Sequence, residues 1–128
     1  MRKPFHFLII DDDEDDKDFF CDAVTELDSG IACSSASNGV DALAMLPEFE
    51  VLPDYIFLDL NMPKMNGKQL LIHLKKHEEF RFIPVVIFST SKSEDEMEET
   101  KRLGAIAFIV KPSSIRELVD ELRTLIMA

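Results

Sequence analysis

Five short apolar runs constrain this chain more than anything else in it: residues 5–10, 31–35, 55–58, 85–89 and 107–110. Four of them are rich in β-branched or aromatic residues and lack the apolar/polar alternation of a half-exposed strand. A strand that is apolar at every position must be covered on both faces, which is the situation of a parallel sheet. The second run, with cysteine and serine, suits an edge position. Between the runs lie stretches with helical spacing. Residues 15–27 put Phe19, Phe20, Ala23, Val24 and Leu27 on one face, and residues 40–46 follow Gly39. Leu70, Leu71 and Leu74 mark a third helix, and Met97 and Leu103 a fourth. Residues 114–127 carry Ile115, Leu118, Val119, Leu122, Leu125 and Ile126 at spacings of three and four. Ser93 with Glu96 and Ser114 with Glu117 read as capping boxes for the last two helices. Five strands alternating with five helices predict an open, doubly wound α/β sandwich.

Composition narrows the function. A chain of 128 residues, against roughly 150 per domain, predicts one domain over residues 1–128. At 46% apolar residues, it is expected to bury about two-thirds of its unfolded surface. Fourteen basic against 25 acidic residues leave a net charge of −11. That argues against nucleic acid or an anionic membrane as a partner, since both are bound by neutralising phosphates with Lys and Arg. Eight of the acids fall within residues 11–22, opposed only by Lys17. Cys21 and Cys33 make no disulfide framework and read as buried, reduced thiols of a cytosolic protein. The first apolar run is broken by His6 and too short for a secretory signal. No run approaches the ~18 apolar residues of a membrane span, so a soluble, cytoplasmic protein is expected.

In an open α/β sheet, chemistry gathers beyond the carboxyl ends of the strands, near the switch in strand order. Strand one ends into Asp11 and Asp12, strand three into Asp59, strand four at Ser89 and Thr90, and strand five at Lys111 followed by Pro112. In the flavodoxin-like order 2-1-3-4-5, strands one and three are neighbours, with four and five beyond. Three carboxylates, a hydroxyl and an ammonium then share one edge. Crowded carboxylates either take up protons or bind a cation. A shallow, wet, all-oxygen site suits Mg²⁺, which commonly shares its sphere with phosphate oxygens. An ionised carboxylate can be a nucleophile toward phosphorus, and Lys111 and Ser89 can then neutralise and hydrogen-bond the added group. Asp13 and Asp15 are expected to cap or decorate the first helix.

At these residues the sequence resembles the receiver domain of bacterial response regulators over almost its whole length. The matching pieces are LIIDDDEDD, ASNGVDAL, DYIFLDLNMPKMNG, PVVIFST and GAIAFIVKP, in that order. The resemblance implies that Asp59 is the phosphoacceptor, and that Asp12 and Asp59 ligate Mg²⁺ directly. It also implies that Asp11 acts mainly through water and that Asn61 offers its backbone carbonyl. It maps the switch hydroxyl onto Ser89, with Thr90 beside it, the phosphate-pairing lysine onto Lys111, and the switch aromatic onto Phe108. The Lys111–Pro112 bond is usually cis in the family. The implied partners are a sensor histidine kinase or phosphotransfer protein upstream, and an effector protein or a second copy of the chain downstream. The implied output surface is the fourth helix, fifth strand and fifth helix, with no attached effector domain. Departures are Ser89 where many members have Thr, Phe108 where Tyr is frequent, and Ser113 where Phe is common.

Rival readings fit less well. A calcium loop starting at Asp11 has Asp16 where glycine is needed and Asp22 where a bidentate Glu belongs. An aspartate-nucleophile phosphatase would need further acid/base loops. A degenerate receiver, used only to bind protein, would not need Asp12, Asp59, Ser89 and Lys111 together. His73 and His77 have metal-ligand spacing on a helix but no evident third ligand, and the four glycines form no nucleotide-binding loop.

Overall fold

The computed structural model describes residues 6–127; Phe5, the first residue of the first expected strand, lies outside them. The elements are β1 (His6–Ile10), α1 (Glu14–Leu27), β2 (Ala32–Ala36), α2 (Gly39–Met45) with a short 3₁₀ turn (Leu46–Glu48), and β3 (Tyr55–Leu58). They continue through α3 (Gly67–Lys76), β4 (Val85–Ser89), α4 (Glu94–Arg102), β5 (Ala107–Val110) and α5 (Ile115–Met127). All five strands pair in parallel in the order β2-β1-β3-β4-β5, the flavodoxin-like arrangement.

Alternate residues of the central strands enter two separate cores, which is why these strands are apolar throughout. Leu8, Ile10, Ile56, Leu58, Val85 and Ile87 face Leu46, Leu70, Leu71 and Leu74 on the α2/α3 side. Phe7, Ile9, Phe57, Val86 and Phe88 face Phe20, Val24, Leu118 and Leu122 of α1 and α5. Strand β2 is the edge that its cysteine and serines suggested, with mostly half-buried or exposed positions.

Side chains fix the helix starts. Asp13 caps α1 by accepting from Asp16 N at 3.0 Å, while Asp15 is exposed on the first turn. Asn38 caps α2, and Asn66 and Gln69 form a reciprocal capping box on α3. The box expected at Ser93 is half made. Glu96 N donates to Ser93 Oγ, but the Glu96 carboxylate is taken by the Ser91 hydroxyl and by Lys68. At α5, Glu117 N donates to Ser114 Oγ.

Two expectations are corrected. Cys21 and Cys33 are joined in a disulfide, Cα atoms 5.7 Å apart. Cys21 on α1 and Cys33 on the edge strand meet at the margin of the α1/α5 core, a juxtaposition made by packing that a sequence separation of 12 does not reveal. The Lys111–Pro112 bond is trans, for no peptide bond among the described residues is cis. The β5 register sets the backbone of Lys111, its N–H donating to Ser89 O at 2.8 Å.

Candidate phosphoryl and metal site

The site lies where β1, β3, β4 and β5 end side by side. Asp11 follows the last residue of β1 and Asp59 the last of β3. The sheet holds both in place beyond the strands, with Asp11 N donating to Ala36 O and Asp59 N to Ile10 O, each at 3.0 Å. Both carboxylates are buried, whereas Asp12 is exposed. One carboxylate oxygen from each of Asp11, Asp12 and Asp59 lies within 4.8 Å of the other two. Ser89 is fully buried at the end of β4, and its Oγ accepts from Ser91 N at 3.2 Å. Thr90 and Asn61 are exposed, and Asn61 N donates to the Asp59 carboxylate.

Lys111 supplies the positive charge. Its Nζ lies 2.8 Å from Asp11 Oδ2, 2.7 Å from Asp16 Oδ2 and 3.8 Å from Asp59 Oδ1. Sequence reasoning left Asp16 out of the site. A signal was there: Asp16 sits four residues before the buried Phe20, so it extends the inward stripe of α1 to the helix's first turn.

The charge balance is acidic. Burial, and then the neighbouring Asp11, push the Asp59 carboxyl up to about 6. Burial also raises Asp11, against the pull of Lys111. Burial lowers Lys111, but its bonds to Asp11 and Asp16 outweigh this and leave its pKa raised. Two buried carboxylates and one exposed one, served by a single lysine, fit a hard divalent cation through oxygen donors. Among the described residues this is the only such cluster of potential ligands. The histidine pair is not one: His77 closes α3, stacks on Phe80 with centroids 4.1 Å apart and accepts from Glu79 N.

A glycine brings α3 against the acceptor. A Cβ on Gly67 would collide with the Asp59 carbonyl oxygen and with Leu60 Cα. Gly67 N donates to Leu60 O at 3.0 Å. Beside the site, Asp12, Asn61, Asn66, Lys68 and Glu96 line an open cleft. Phe108 is half-buried, packed on the α2/α3 side of the sheet, and lines a second cleft with Met97, Thr100 and Lys101.

Comparison with known proteins agrees with this architecture. The family model of the response regulator receiver domain matches residues 7–123. The polar-differentiation response regulator DivK of Brucella anthropi is 27% identical over 121 residues, 94% of this chain and 95% of DivK. The phosphorylated cyanobacterial phytochrome response regulator RcpA superposes with a TM-score of 0.84 at 25% identity, covering 96% of this chain and 91% of RcpA. The Mn²⁺-bound form of response regulator Rcp1 does so with a TM-score of 0.75 at 26% identity, covering 95% and 91%. Receiver domains are signalling modules rather than classical enzymes, and no helix among the described residues is long and apolar enough to cross a membrane. Sheet order, the carboxylate-lined strand ends and the match over residues 7–123 together make this chain a member of the response regulator receiver family.

Proposed function

We propose that this chain is a single-domain phosphoacceptor of a two-component relay, with Asp59 taking a phosphoryl group from a phosphohistidine on a sensor histidine kinase or phosphotransfer protein in the cytoplasm. The observation that carries this reading is the buried Asp59 carboxylate at the end of β3, beside the ion pair of Asp11 and Lys111. A carboxylate oxygen of Asp59 bonds to phosphorus as the bond from phosphorus to the donor's imidazole nitrogen breaks. The electron pair stays on that nitrogen, and a proton carried by the ring's other nitrogen, or taken from water, leaves the donor as neutral histidine. Lys111 pairs with the added charge, and the Ser89 hydroxyl, whose oxygen accepts from Ser91 N, turns its hydrogen to a phosphoryl oxygen.

Asp12 and Asp59 would hold Mg²⁺ directly, Asp11 mainly through water, and Asn61 through its backbone carbonyl. The bound cation supplies charge neutralisation of the carboxylates and the transferred group. That the similar response regulator Rcp1 has a Mn²⁺-bound form supports a divalent cation as the ligand. Output runs through Ser89 to Phe108 and the face of α4, β5 and α5, toward an effector protein or a second copy. The coupling requires a phosphoryl group that interacts better with one arrangement of Ser89 than with the other.

Incubation with acetyl phosphate or phosphoramidate and Mg²⁺, followed by intact mass, tests the reaction. Wild type should gain one phosphoryl group, and Asp59→Ala and EDTA-treated protein none. Labelling that survives either treatment refutes the assignment. Absence of labelling from any donor would favour a receiver that binds partners without phosphorylation.

A further inference from the structure

Lys111 is bound more closely to the start of α1 than to the phosphoacceptor. Its ammonium has three donors, and the two short contacts go to Asp11 at 2.8 Å and Asp16 at 2.7 Å, leaving Asp59 at 3.8 Å. Asp11 is fixed by the sheet and by accepting from Asp13 N. Asp16 is different: its side chain is 39% exposed, and the ion pair to Lys111 is the contact that turns it inward.

We propose that Asp16 is a positioning residue that draws Lys111 toward α1 and away from Asp59, and so opposes the phosphorylated state. The inference rests on the phosphoacceptor reading. A phosphoryl group on Asp59 replaces the single carboxylate charge by nearly two, carried on the phosphoryl oxygens, and needs the lysine. Lys111 can turn to it fully only by loosening its bond to Asp16. In this chain the acid on α1 therefore competes with the phosphoryl group for one ammonium.

Beryllofluoride, which adds to the aspartate carboxylate as a phosphoryl mimic, provides the test. It is titrated at fixed Mg²⁺ and followed by ¹⁹F NMR and calorimetry. Asp16→Asn keeps the shape of the side chain and removes its charge. Asp15→Asn removes the same charge from an exposed neighbour on the same turn, and Asp16→Glu restores an acid at position 16. Asp16→Asn should bind about two- to five-fold more tightly than wild type, the range of a partly solvated ion pair. Asp15→Asn and Asp16→Glu should stay close to wild type. Unchanged or weaker binding by Asp16→Asn overturns the inference, as does equal tightening by Asp15→Asn, which would reduce the effect to net charge. Wild type that binds no beryllofluoride refutes the phosphoacceptor reading itself, and this inference with it.

Discussion

Asp59 is held in a place that disfavours its own charge. Burial first, and Asp11 second, raise its carboxyl from an ordinary 3.8 to about 6. The folded protein thus binds this proton more tightly than the unfolded chain. The resulting stabilisation is full below about pH 4 and is lost as pH rises through about 6. Two pH units amount to roughly 3 kcal/mol at neutral pH. Asp59→Asn replaces the carboxylate by a neutral group of the same shape. Without divalent cation it should melt above wild type at pH 7.5, and the gap should close as the pH is lowered to 4. A gap of constant size across that range in thermal melts would mean that charge burial is not its cause. Gly67 imposes the opposite constraint on the same residue. Because a Cβ there meets the Asp59 backbone, Gly67→Ala should cost about 1–3 kcal/mol, as overpacking does. It should also lower beryllofluoride affinity by displacing Asp59, and a variant that keeps both stability and affinity would show that the backbone yields freely.

At the scale of elements, the disulfide is what joins α1 covalently to the edge strand β2. Closing a short loop in the unfolded chain is worth about 2–3 kcal/mol. Reduction, or Cys33→Ser, should lower urea-unfolding stability by about that amount, and reductant should then have no effect on the variant. Equal midpoints for oxidised and reduced wild type would refute the constraint. The spacing on α1 turns Asp16 inward, but that bond and the partner that Asp16 meets were both illegible in the sequence, for the same physical reason. Each depends on which surfaces pack together, and Asp16 meets Lys111 across 95 positions. Asp11, Asp59, Ser89 and Lys111 were legible because each stands at or immediately after the end of a continuous apolar run, where the fold itself decides its neighbours. The same logic explains the strands. β3 and β4 were bounded correctly because both faces are buried, and the half-buried β5 because its apolar run stops sharply at Lys111. In contrast β2, apolar on neither face, begins and ends one residue later than its composition suggested.

For the whole molecule, a net charge of −11 with eight acids in residues 11–22 means that any cation stabilises the fold to some degree by screening self-repulsion. A specific site has to be separated from that background. A ligand that binds only the folded state stabilises it by mass action, by about 2.7 kcal/mol at a hundred times its dissociation constant. Screening, in contrast, depends on ionic strength and is nearly indifferent to one carboxylate among 25. Asp12 is the member of the triad to remove, because it is exposed and its loss leaves neither a cavity nor an unpaired buried partner. Millimolar Mg²⁺ should therefore raise the melting temperature of wild type well above that of a NaCl control at equal ionic strength. In Asp12→Ala the response to Mg²⁺ should fall to the level of the NaCl control. If Asp12→Ala responds to Mg²⁺ as wild type does, the cation is acting on the acidic surface as a whole and the carboxylates at the ends of β1 and β3 are not its site.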